Sequence, residues 1–191
     1  MALPPRHVPA APAPDAEGKI ATVITYLEMT GPPQGASRPT PAGVRLERVV
    51  HCSVAFYRFL YDTVGRDWLW YERRVVHDDE LAALLADPAI DVHVAYRGGA
   101  PAGFFELDAR QAGVVDLAYF GLMPEAIGQG IGPWLLRAAL DLAWAKQPAR
   151  VTVNTNSLDH PAALPTYRKA GFVPYRQVQH RFDDPRLAGI M

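Results

Sequence analysis

Apolar and polar positions change rhythm along this chain, and each rhythm predicts an element. Residues 20–29 (IATVITYLEM) are β-branched and aromatic enough for a strand. Tyr57, Leu60, Tyr61 and Val64 recur at i, i+3, i+4 and i+7, which predicts a helix over 53–64, with Ser53 able to cap its start and Gly65 its end. Residues 67–74 (DWLWYERR) are aromatic without a clean period. Leu81, Leu84 and Leu85 mark a shorter helix, begun by Asp78 or Asp79 and stopped at Asp87-Pro88. Residues 91–96 and 102–107 read as strands joined by the turn 97–101 (RGGAP), and a turn near 111–113 leads to a strand over 114–122. A helix over 131–146 follows, with Ile131, Leu135, Ala139 and Ala143 on one stripe. Then come a strand over 151–155, a short helix over 161–170 closed by Gly171 and bent by Pro165, and a strand from 172 to about 180. Strand, helix and strand joined by a crossover imply that 114–122 and 151–155 pair in parallel, while the hairpins on either side imply antiparallel pairs. The expected fold is α/β of the α+β kind: a mixed, mostly antiparallel sheet of six to seven strands flanked by helices, with a parallel β-α-β core. No internal repeat is visible.

Composition narrows the possibilities. The 191 residues suit one domain, and 49% hydrophobic with 20% charged residues supplies a core and excludes wholesale disorder. Half of the 18 prolines precede residue 42, so residues 1–18 are expected to form a disordered Pro/Ala-rich arm, 31–41 a long loop, and 19–191 a single domain. With 19 basic and 20 acidic residues, net −1 at pH 7, the chain carries no polyanion-binding footprint, so neither nucleic acid nor a membrane surface is an expected partner. The apolar stretch 130–145 is broken by Arg137 and Asp141 and cannot span a bilayer. The proline-rich start lacks the apolar run of a signal peptide, and the one cysteine, Cys52, can form neither an internal disulfide nor a Cys-rich metal site. The expected location is cytoplasmic, with no metal: the six histidines show no ligand spacing, and His77-Asp78-Asp79-Glu80 is explained by helix capping and the helix dipole.

The informative segment is Gly128-Gln129-Gly130-Ile131-Gly132-Pro133, between a strand and a helix. Three alternate glycines let backbone N–H groups converge beside the positive end of a helix, an arrangement suited to a phosphate or diphosphate. A tight turn that merely packs helix on sheet is the plain alternative. A Walker A loop is excluded because Pro133-Trp134 follows Gly132 where Lys-Ser/Thr is required. A G-x-G-x-x-G dinucleotide turn is excluded because its third glycine would fall on Pro133 or Leu135.

Residues 116–171 resemble the core of the GNAT superfamily of acyl-CoA-dependent N-acyltransferases. Its diphosphate motif, Gln/Arg-x-x-Gly-x-Gly/Ala, is matched by Ile127-Gly128-Gln129-Gly130-Ile131-Gly132, and Leu122-Met123-Pro124-Glu125 and Ala163-x-x-x-Tyr167-x-x-x-Gly171-Phe172 stand in the expected places. The resemblance implies acetyl-CoA, or another acyl-CoA, as co-substrate, bound by the 109–191 half, with an amine acceptor selected by the 19–108 half. Phe120, Gly121 and Leu122 would contact the pantetheine arm, with a bulge at Gly121 splaying the strands. Ile127, Gly128, Gln129, Gly130, Ile131, Gly132 and Pro133 would surround the diphosphate. Ile127 departs from the usual Gln/Arg, Pro133 lacks one backbone donor, and His160 stands where an asparagine is usual.

Acyl transfer from a thioester to an amine needs a neutral amine, a donor for the carbonyl oxygen and a proton for the thiolate. The resemblance implies that Asp116, fourteen residues before Gly130, is the base. Glu106, on the neighbouring strand, is its rival. Tyr167 is implied as the acid that protonates the CoA sulfur. Trp68, Trp70 and Tyr71 are candidate acceptor-binding aromatics, whereas Tyr57 and Tyr61 fall on the apolar helix stripe. Cys52 beside His51 is expected to be inert, since sequence neighbours point apart. The function expected is N-acetyl transfer from acetyl-CoA to a primary amine, of a small molecule or a peptide, in a ternary complex. A homodimer is possible. The rivals are a non-catalytic acyl-CoA sensor and a partner-binding module on the same fold.

Overall fold

The computed structural model describes residues 11–191. Its strands are β1 (Lys19–Met29), β2 (Val44–Arg48), β3 (Ile90–Arg97), β4 (Ala100–Asp108), β5 (Val114–Leu122), β6 (Arg150–Asn156) and β7 (Val173–Asp183). The helices are α1 (Val54–Gly65), α2 (Glu72–Val75), α3 (Asp78–Ala86), α4 (Ile131–Ala145) and α5 (Ala163–Ala170). One seven-stranded sheet runs β2-β3-β4-β5-β6-β1-β7. Among the described residues only β5 and β6 pair in parallel, so the sheet is mixed and mostly antiparallel, as its sequence implies. None of the helices is long and apolar enough to cross a membrane among the described residues.

Successive residues of a strand point to opposite faces. Phe105 accordingly joins a core under α4 and α5, with Leu135, Ala139, Val151 and Tyr167, while Phe104 joins a second core under α1 and α3, with Tyr57, Leu60 and Leu81. With both faces of β4 covered, residues 102–107 are buried without alternation.

Local differences from the expected elements have physical causes. The short, charge-flanked strand β2 (VRLER) was not anticipated. β7 pairs with β1, not with β6, because the first strand of the chain lies between them. Ser53 does cap α1, accepting the Phe56 N–H at 3.3 Å. Gly65 does not end α1 as a left-handed cap; it is helical, and a Cβ there would lie 2.4 Å from the Trp70 Cβ. His77, not an aspartate, precedes α3, and Asp78 instead accepts from Arg58 at 2.7 Å. Pro165 falls in the first turn of α5, where its N–H would have no helical partner, so the helix runs on through Tyr167 to a left-handed Gly171. Of the arm expected at residues 1–18, residues 1–10 lie outside the described residues. In the remainder, Asp15 accepts the Lys19 N–H at 3.0 Å and Arg186 donates to the Pro12 carbonyl at 2.7 Å.

The distortion that makes room for a site lies in β5. Leu107 faces Leu117 and Glu106 faces Tyr119, leaving Ala118 as an extra residue. The bulge is therefore at Ala118, not at Gly121. Gly121 is needed for another reason: a Cβ there would come within 2.3 Å of the Val64 Cγ1 on α1. The parallel ladder ends at Asp116 and Thr152, though β5 runs on to Leu122 and β6 to Asn156. Beyond that point the two strands part.

Candidate active site

The parted strands open a cleft of about 610 Å³. Residues 117–122 form one wall, Asn154 and Asn156 the other, with Ala163, Thr166 and Tyr167 of α5 and Ile127, Gly128, Gly130, Gly132 and Pro133 alongside. Gly128 and Gly130 have φ of 79° and 77°, a region that costs an L-residue roughly 1–2 kcal/mol, yet a Cβ at either would meet no atom within 4 Å. Conformation, not crowding by the protein, therefore calls for glycine. Gln129 N–H reaches the Ala126 carbonyl at 3.4 Å, whereas among the described residues the N–H groups of Gly128 and Gly130 meet no carbonyl. The Gln129 side chain turns away, donating to the Glu125 carbonyl and accepting from Arg97. Ile131 is wholly buried in the core. These two residues hold the turn; they do not line the cleft.

Tyr167 lies in the gap, its ring edge-on to Phe120 at 6.2 Å and to Phe172 at 5.9 Å. Burial, with the nearby Asp159 and Asp116 adding to it, pushes its phenol well above the usual range, so it stays protonated. His160 accepts the Ala162 N–H on Nδ1 at 3.0 Å, and its ring meets Trp68 at 5.2 Å. Both line the cleft.

The opposite side is built by the segment after α1. Leu69 is buried in the left-handed region (φ 56°), an uncommon conformation for this residue that reverses the chain. Trp70 then packs against Tyr61 at 5.4 Å and Tyr119 at 5.3 Å, and its indole N–H reaches Asp159 at 3.2 Å. Asp159 also accepts from the Thr155 hydroxyl at 2.8 Å and the Asn156 N–H at 2.9 Å. Burial raises its carboxyl, while these donors oppose the rise. Glu72 comes to the same cleft, held by the Tyr61 hydroxyl at 2.9 Å. Sequence reasoning missed both Asp159 and Glu72, because nothing in the spacing of either marks a fold-dependent meeting with Trp70 or Tyr61.

Three candidates sit elsewhere. Tyr71 stacks on Phe182 at 5.3 Å, outside the cleft. Glu106 is wholly buried between Arg73, at 2.7 Å, and the Tyr57 hydroxyl. Asp116 lines a neighbouring pocket of about 540 Å³, which adjoins the cleft at Asn154, and accepts the Thr152 hydroxyl at 2.6 Å. Burial first, then the charges of Asp108 and Glu106, raise the Asp116 carboxyl. The glycine turn, strand residues 120–122, His160, Tyr167, Trp68 and Trp70 are thus brought together. Asp116, Glu106 and Tyr71 are not among them. Cys52 is half-buried, with its thiol pushed up to about 11 by burial, a poor nucleophile.

A split parallel pair, a bulged strand and a glycine turn at a helix start are the marks of an acyltransferase fold, and residues 55–172 match the Acetyltransferase (GNAT) family. The chain belongs to that family. Its fold is similar to a GCN5-related N-acetyltransferase from Sphaerobacter thermophilus, at 18% identity and a TM-score of 0.66, covering 87% of this chain and 53% of that one. It also resembles a functionally unknown conserved protein from Staphylococcus epidermidis, at 17% identity and a TM-score of 0.62, covering 88% and 64%. An aminoglycoside acetyltransferase from an uncultured soil metagenomic sample, in complex with sisomicin, matches at 18% identity and a TM-score of 0.58, covering 72% and 93%. At these identities the likeness is one of fold. The chain spans 53% and 64% of the length of the first two. Among curated proteins none matches the sequence.

Proposed function

We propose that this protein transfers an acetyl group from acetyl-CoA to a primary amine by direct attack within a ternary complex, in the cytoplasm. The observation that carries this reading is the gap between β5 and β6, which runs from Tyr167 to a glycine turn whose Gly128 and Gly130 amides find no carbonyl partner among the described residues. Those amides, at the positive end of α4, take the diphosphate. The main chain of Phe120 and Leu122 pairs with the pantetheine amides. Gly132 permits close approach, Ile127 and Pro133 supply apolar contact, and His160 with Trp68 borders the same channel. Tyr167 gives its proton to the departing thiolate. Trp70 borders the acceptor. An amine rather than an alcohol is favoured because, among the described residues, the cleft is lined by Glu72 and Asp159 and by no lysine or arginine.

The reading is tested by melting the protein with and without acetyl-CoA and by measuring CoA thiol release over an amine panel. Acetyl-CoA at 100 times its Kd should stabilise the fold by about 2.7 kcal/mol, and at least one amine should release thiol. An unchanged melting curve refutes the reading. Stabilisation without turnover assigns the chain to a sensor role.

A further inference from the structure

We propose that Glu72 binds the acceptor's ammonium group and removes its proton, which makes the substrate class a cationic primary amine; this rests on the acetyl-transfer reading above. Two carboxylates line the cleft among the described residues. Asp159 is committed, one oxygen to the Trp70 indole and the other to the Thr155 hydroxyl and the Asn156 N–H. Glu72 is held through Oε2 by the Tyr61 hydroxyl, and among the described residues its Oε1 meets no donor. Tyr61 is itself fixed, its ring packed against both Trp70 and Tyr119. Arg73, next along the chain, does not neutralise Glu72, because its guanidinium is directed to Glu106 and Tyr57 and lies 5.1 Å over the Tyr119 ring. The two bases expected from the sequence lie outside the cleft. Glu72 is left as an oriented acceptor beside an aromatic wall, an arrangement that draws a cation.

The step balances as follows. The ammonium gives one proton to Glu72, which passes it to solvent. The freed nitrogen pair forms the C–N bond, the C–S bond breaks with its pair on sulfur, and Tyr167 protonates that sulfur. Tyr167 is then restored by the second proton leaving nitrogen. The net products are the amide, CoA thiol and one proton.

Glu72 is faced by Tyr61 from α1, Tyr119 from β5 and Asp159 from the β6–α5 connection, with Tyr71 and Arg73 beside it in the chain. Tyr61 and Tyr119 are pushed well above the neutral range, chiefly by burial, and stay protonated through pH 6–9. His160, also in the cleft, is present in wild type and variant alike, so their difference isolates Glu72.

The experiment compares wild type, Glu72→Gln and Glu72→Asp with acetyl-CoA and sisomicin, spermidine or tryptamine, and uses tryptophol as a neutral analogue. Glu72→Gln should lower kcat/KM at pH 7 about 100-fold, leave the acetyl-CoA melting shift intact, and steepen the rise of rate with pH, because the amine must then arrive already neutral from an aqueous pKa near ~10.4. Glu72→Asp should recover part of the rate, and tryptophol should not react. Should Glu72→Gln melt early, Tyr61→Phe tests the same carboxylate by releasing it, with a rise in amine KM expected. Equal rates and parallel pH profiles for wild type and Glu72→Gln, or an unchanged KM in Tyr61→Phe, overturn the proposal while the acetyltransferase reading stands. Absence of turnover with every amine overturns both.

Discussion

Tyr167 sits at the meeting of two aromatic edges, 6% exposed, with its phenol held protonated by burial and by the negative charge of Asp159 and Asp116. The rise keeps a proton on the phenol at neutral pH and also makes it a weaker acid than a free tyrosine, so under the proposed function its transfer accompanies C–S cleavage instead of preceding it. Tyr167→Phe removes the proton and keeps the ring packing. Under the proposed function its kcat should fall about 100-fold, with the acetyl-CoA melting shift preserved; unchanged turnover removes Tyr167 from the chemistry. At this scale Tyr167 was legible because its place before Gly171-Phe172 is local. The place of Glu72 was not, since Asp116 and Glu72 differ less in type than in which of two adjoining pockets they enter.

At the scale of elements, two glycines set how closely α1 and the following turn approach the sheet. Gly121 accommodates Val64 and Gly65 accommodates Trp70. A methyl group at Gly121 would overlap the Val64 Cγ1, and such overpacking costs about 1–3 kcal/mol. Gly121→Ala should therefore lower stability in urea denaturation by that amount, and Val64→Ala in the same chain should restore part of it; a loss that Val64→Ala leaves untouched means that β5 itself needs the glycine. The strand over 114–122 and the helix after the glycine turn were legible from periodicity. The position of the bulge was not, because Ala118 carries no turn chemistry and is extra only in relation to β4.

Across the whole molecule, the Glu106–Arg73 pair ties the centre of the sheet to the segment that presents Trp70 and Glu72. Glu106 is wholly buried and its oxygens are taken by Arg73 and Tyr57, so removing one partner strands a charge. Arg73→Met should cost about 3–5 kcal/mol in urea denaturation, and adding Glu106→Gln should return much of it. A cost below 1 kcal/mol would show that the pair does little to hold the fold. The sequence by itself determined the element types of the C-terminal half, the parallel β5–α4–β6 crossover and the glycine turn, because helix and strand periods and left-handed turns are written in residues near one another. Only the tertiary structure decided that β1 separates β6 from β7, that the parallel strands part after Asp116, and that Glu72 and Asp159 share a cleft with Tyr167. Those outcomes depend on which distant surfaces bury each other, and burial is a property of the packed chain, not of any stretch of it.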